Sequence, residues 1–167
     1  MDQNLQQKGK GQNYGWGSCF RDFLIFLVIF TLLFRFILGI SLVKGSSMED
    51  TIPSGRIVFF LRTVKDYKTG DVVAARVPTG KLYVKRIVAR SGDLVELKDG
   101  CLYVNGAQEL EGPFQGTTEA LPDGISYPYT VPQGSYFLLG DNREHSIDSR
   151  AFGAVSEDNM IGRLFGY

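Results

Sequence analysis

Residues 23–43 constrain this chain more than any other feature, because in 21 positions Arg35 is the only charge. As one α-helix the run would be about 31 Å long at ~1.5 Å per residue, the hydrocarbon thickness of a bilayer. The stretch FLIFLVIFTLLF lacks the polar face that a globular helix keeps toward water, so a transmembrane helix over residues 20–43 is predicted. The run is longer than the apolar part of a cleavable secretory signal and ends in Leu42-Val43-Lys44 without a small-residue cleavage site, which favours a retained anchor. Arg35 lies in the half nearer Lys44 and can snorkel toward the interface. Lys8, Lys10 and Arg21 on one flank balance Lys44, Arg56 and Arg62 on the other, so charge alone leaves the topology open.

With the span set aside, residues 1–19 read as a polar tail rich in Gly and Gln, and residues 44–167 must supply the folded domain. Segments with strand character recur there at 57–61, 72–77, 82–89, 94–97, 102–104, 127–131 and 136–139. Asp99-Gly100 between two of them predicts a tight hairpin turn. Residues 105–126 are the least periodic and read as surface loops. Short strands with no long amphipathic helix between them predict a mainly β fold, an antiparallel barrel-like domain behind one N-terminal transmembrane helix.

Composition narrows the chemistry. Eighteen basic residues against eighteen acidic ones leave no footprint for nucleic acid. Cys19 and Cys101 are too widely separated in the chain to suggest a disulfide, and one histidine with no zinc spacing gives no indication of a metal or other cofactor.

Three polar constellations remain. Gly45-Ser46-Ser47-Met48 follows the apolar run at once, which would hold a serine at the membrane surface; by itself it also reads as a flexible exit from a helix. Strand alternation over residues 83–93 puts Lys85 on one face with Tyr83, Ile87 and Ala89. Such apolar neighbours lower a lysine pKa, and a neutral lysine can accept the proton of a serine; the plainer alternative is an exposed strand lysine. Residues 140–150, GDNREHSIDSR, set many polar groups after an apolar strand, as a site-supporting loop or a solvated turn with an Asp148–Arg150 pair.

Taken together, GSSMEDTI at 45–52, GDVVAARVP at 70–78, YVKRIVARSGD at 83–93 and GDNREHSIDSRAFG at 140–153 resemble the type I signal peptidases, in family order and behind an anchor. The resemblance implies a serine endopeptidase that removes signal peptides from exported preproteins. It makes Ser47 the nucleophile, Lys85 the general base and Ser146 a hydroxyl that positions the lysine amine. Asp141, Asp148 and Arg150 match residues that brace the site, and Met48 and Arg86 match structural or substrate-contacting neighbours of the serine and the lysine. An all-β catalytic domain lying outside the cell membrane is implied, with the tail in the cytoplasm, the bilayer as partner and a translocation channel nearby. The chain departs from the family pattern at Asp50, where proline is usual, and at Gly55-Arg56, where glycine-aspartate is usual. Gly45 stands where some members carry an oxyanion serine, so the Ser47 amide and a backbone or water donor would have to serve.

Two rivals are kept. His145 could act as the base in a serine–histidine–aspartate triad, or the chain could be a membrane-tethered β-domain that binds envelope or secreted proteins without cutting them. Self-cleaving repressor domains also use a serine–lysine pair, but they lack an anchor and do not suit the loop at 141–153.

Overall fold

The computed structural model describes residues 16–49, 51–109 and 112–167, so most of the expected tail and the departure at Asp50 lie outside the described residues. Helix α1, Trp16–Leu32, buries none of its side chains and passes into a π-helical turn, Leu33–Ile37. Phe26, Phe30 and Phe34 recur at four-residue spacing and touch along one face, with ring centroids 5.8 and 4.7 Å apart. The helix stops there. Leu38 turns to extended geometry, its N–H donates to the Leu33 carbonyl, and strand β1, Leu38–Leu42, begins.

The expected helix over 20–43 is therefore corrected at both ends: it starts at Trp16 and gives way to a strand after Ile37. An apolar run satisfies a buried strand as well as a helix, and tertiary pairing chose between them. Leu38 lies opposite Leu61 and Leu42 opposite Ile57 of β2, Ile57–Leu61, while a Cβ at Gly39 would stand 2.1 Å from the Phe60 ring. Among the described residues no helix is long and apolar enough to cross a membrane.

The remaining elements, in chain order, are β3 (Val72–Arg76), β4 (Leu82–Arg90), β5 (Leu94–Lys98), β6 (Cys101–Val104), β7 (Ala107–Gln108), β8 (Tyr129–Thr130), β9 (Ser135–Leu139), the short helix α2 (Ser149–Phe152), β10 (Val155–Ser156) and β11 (Met160–Phe165). Among the described residues they form a seven-stranded sheet, in the order β1-β2-β11-β3-β4-β9-β10, and a four-stranded sheet, β7-β6-β5-β8. The named strands pair antiparallel throughout. The fold is mainly β as expected; the large sheet curls but stays open, with β1 and β10 as its edges.

The β5–β6 hairpin turns through Asp99 and Gly100, both at positive φ, 51° and 74°, as a two-residue hairpin loop requires. Asn105-Gly106 repeats the device at 53° and 79° and carries the chain into β7, inside the stretch expected to be loop. Strand β3 is buried at four of its five positions because β11 and β4 flank it and core side chains cover it. Strand β11 is the element the sequence hid. Gly162 interrupts its pattern, yet glycine is what fits: a Cβ there would meet the Leu61 carbonyl at 2.5 Å.

The core falls into three clusters. One packs Val43, Met48 and Ile52 with Val58, Phe60 and Leu164. A second joins Val73, Ala75, Ile87 and Leu138, and the third gathers Val88, Ala89, Phe137 and Leu139 against the small sheet.

Candidate active site

Ser47 lies on a turn that β1 leads into and that apolar side chains hold down. Met48 and Ile52, which follow Ser47 in the chain, are fully buried, and the Ile52 N–H donates to the Met48 carbonyl at 2.7 Å. Met48 thus packs in the core. Gly45, at φ +93°, sets the entry of the turn in a conformation that side chains rarely adopt, and its N–H reaches Ser54 Oγ at 3.1 Å. Gly55-Arg56 pins the far end: the Gly55 N–H donates to the Val43 carbonyl and the Val43 N–H to that of Arg56, at 2.8 and 2.9 Å. Ser47 itself is half-buried and faces an open cleft of about 580 Å³.

Lys85 comes from the middle of β4, opposite Val73 of β3. Its side chain is 2% exposed, and its Nζ stands 2.6 Å from Ser47 Oγ. Its pKa is lowered from 10.5 to about 8, chiefly by burial; Asp148 pulls upward against this, Arg150 adds to the lowering, and Asp141 opposes it. The Tyr83 ring lies 5.5 Å from the amine, on the face that alternation assigned to it. Ile87 shares that face, but Ala89 does not. The register of β4 against β9 slips between Ile87 and Ala89, and this bulge sends Ala89 into the cluster with Phe137 and Leu139.

The loop at 140–150 braces both partners. Asp141 is fully buried and takes a bidentate ion pair from Arg86, at 2.8 and 2.7 Å. Asp148 caps α2, accepts from the Gly140 N–H at 3.1 Å and pairs with Arg150 at 2.9 and 3.0 Å; both are buried. Asn142 donates its backbone N–H to the Ser47 carbonyl at 3.1 Å, so the loop grips the Ser47 turn directly. The contact is close at Gly140, where a Cβ would lie 2.3 Å from Ser146 Oγ and 2.5 Å from the Ser47 carbonyl.

Ser146 is placed beside this junction, but its buried Oγ makes no hydrogen bond among the described residues, so it does not hold the Lys85 amine here. His145 is exposed and its Nδ1 lies 3.2 Å from Asn142 Oδ1; Ser47 Oγ is bonded to the lysine instead. Among the described residues no cluster of His, Cys, Asp or Glu gathers to hold a metal ion.

The sequence reading missed a strap. Gln115 forms an isolated parallel bridge with Asn142: its N–H donates to the Asp141 carbonyl at 2.7 Å, and its own carbonyl accepts from the Arg143 N–H at 2.9 Å. Phe114 beside it stacks under the Arg143 guanidinium at 4.4 Å, and Thr118 takes a hydrogen bond from the same group. These contacts run largely through backbone and leave no periodic mark, although Asn105-Gly106 could have signalled ordered chain within the expected loop.

The cleft runs between residues 41–47 and residues 81–85, with His145 and Ile147 lining it as well. A serine hydroxyl against a desolvated amine in an open groove is the equipment of a serine hydrolase that uses lysine in place of histidine.

The signature of the family described as "Signal peptidase, peptidase S26" matches residues 16–166. Signal peptidase I T of Bacillus subtilis (strain 168) is 38% identical over 160 residues, covering 88% of this chain and 80% of its own. Signal peptidase IB of Staphylococcus aureus (strain COL) is 36% identical over 161 residues, covering 82% of each. A crystal structure of a signal peptidase I from Enterococcus faecalis V583 superposes with a TM-score of 0.48 at 34% identity, over 62% of this chain and all of the other. The chain belongs to the signal peptidase family S26 and is a type I signal peptidase.

Proposed function

We propose that this signal peptidase cuts preproteins with Ser47 as nucleophile and Lys85 as general base, through an acyl-enzyme. The 2.6 Å contact between Ser47 Oγ and the buried Lys85 amine is the observation that carries this reading. A protonated amine donates to the hydroxyl; a neutral one accepts its proton as the alkoxide attacks the scissile carbonyl. The resulting ammonium then delivers that proton to the leaving amine, and water attacks the ester with Lys85 again as base. The Ser47 amide is one donor for the oxyanion, and Gly45 leaves the second to backbone or water. Asp141, Asp148 and Arg150 act by fixing the loop that holds the Ser47 carbonyl. Ser146 takes up the lysine amine only after a change from the arrangement described above.

The preprotein lies extended in the cleft, where free strand edges on both sides can pair with it. Val43 and Val84 line the groove and pack on the core, a floor suited to small residues one and three positions before the cut. Helix α1 exposes Phe23, Ile25, Phe26, Val28, Ile29 and Phe30. A soluble monomer rarely leaves so contiguous an apolar surface in water, which supports lipid as its surroundings. In the reading proposed, residues 1–19 are cytoplasmic, the apolar run anchors the chain in the cell membrane, and the domain from residue 44 works outside, close to a translocation channel.

Cleavage of a preprotein in detergent by the wild type, Ser47→Ala and Lys85→Ala is the test. Product from the wild type alone is expected. Equal binding of the signal peptide with no product from any of the three would give the binding-domain reading the advantage.

A further inference from the structure

Lys44 and Lys81 put positive charge on the lining of the cleft, beside Lys85, and no aspartate or glutamate among the described residues lines it. Lys44 and Lys81 are exposed, and the ion pairs of the described residues engage neither. Lys44 comes three residues before Ser47 and Lys81 four residues before Lys85, on the two segments that border the groove. Lys81 accepts the Val77 N–H through its carbonyl, so the chain is held in hairpin geometry as it enters β4. It lies on the same strand face as Tyr83 and Lys85, about 13 Å from Lys85 at ~3.3 Å per residue. Lys44 adjoins Val43, whose side chain turns into the core while the lysine turns outward.

An extended peptide in this groove alternates its side chains. Those one and three positions before the cut turn to the valine floor, and those two and four positions before it turn to the rim where the free ammonium groups stand. We infer that Lys44 and Lys81 are specificity-determining residues, favouring substrates with aspartate or glutamate at the second or fourth position before the cut. This rests on the peptidase reading of Ser47 and Lys85 given above. Exposed pairs of this kind shift a rate constant modestly, by about two- to fivefold. The effect fades as the screening length falls from ~10 Å at 0.1 M salt to ~3 Å at 1 M.

The test uses the full chain in neutral detergent and peptides with alanine one and three positions before the cut. Aspartate, asparagine or lysine is placed at the second or the fourth position. The readout is the ratio of kcat/KM for the aspartate peptide to that for the asparagine peptide, which is independent of how much enzyme is folded. A ratio above about two at low salt is expected, falling to one near 1 M salt. Lys81→Glu should invert the ratio at the fourth position and Lys44→Glu at the second. A ratio of one at low salt, or one that survives both substitutions, overturns the inference. So does unchanged peptide selectivity in a double variant that has lost binding to phosphatidylglycerol vesicles, since the lysines then serve the lipid surface. Cleavage of every peptide by Ser47→Ala, or of none by the wild type, removes the peptidase reading itself and the inference with it.

Discussion

The turn that carries Ser47 and the loop that braces it, residues 140–150, are stabilised by opposite means. The Ser47 turn is held by apolar anchors, Met48 and Ile52, and by a few backbone bonds, and it leaves Ser47 half in the cleft. The bracing loop is held by buried charge, with Arg150 paired to Asp148, Arg86 to Asp141 and Arg143 bonded to Thr118 and the Gly140 carbonyl. A reacting serine must stay accessible, so its turn cannot be walled in. Its position is instead borrowed from a rigid neighbour through the Asn142 N–H and the close approach at Gly140.

The sharpest break of this contrast is at the reacting pair. Ser47→Ala and Lys85→Ala should each lower kcat by about 10⁴-fold or more in single-turnover cleavage, with the melting temperature little changed for the serine variant. On the bracing side, Arg150→Ala should act on stability first. It leaves Asp148 buried without its partner, which costs about 3–5 kcal/mol and should show as a large fall in the denaturant midpoint. Gly140→Ala joins the two regions: its Cβ must displace Ser146 or the Ser47 carbonyl, and kcat should drop about 10²-fold while binding of a peptide inhibitor is largely kept.

The pH profile sharpens the comparison further. Only neutral Lys85 can take the serine proton, so kcat/KM should rise about tenfold per pH unit below 8 and level off above it. The same depressed pKa makes stability rise with pH between about 8 and the unfolded value of 10.5, because there the unfolded chain holds the extra proton. The smallest effect is expected at His145: His145→Ala should change kcat/KM less than about threefold, since its ring bonds Asn142 rather than Ser47.

Much of the molecule was legible before folding. Residues 57–61 and 94–97 were read as strands and fall within β2 and β5, and Asp99-Gly100 turned where hairpin chemistry requires. Lys85 could be assigned apolar company from alternation alone, because β4 is regular up to Ile87. Beyond it the bulge reversed Ala89, which no local pattern announces. Leu38–Leu42 was hidden by its own hydrophobicity, and β11 by Gly162.

What the sequence determined by itself is local: which residues can be neutral bases, turn residues or anchors, and which motifs stand in which order. Chain-distant juxtapositions belonged to the tertiary structure. Ser47 and Lys85 are 38 positions apart and come within 2.6 Å of each other only because β1 and β4 border one groove of the curled sheet. The depressed lysine pKa follows from that burial. The apolar run ended as part helix and part strand for the same reason: β2 offered Leu38–Leu42 a partner in register, and backbone pairing with a neighbour is information that no single segment contains.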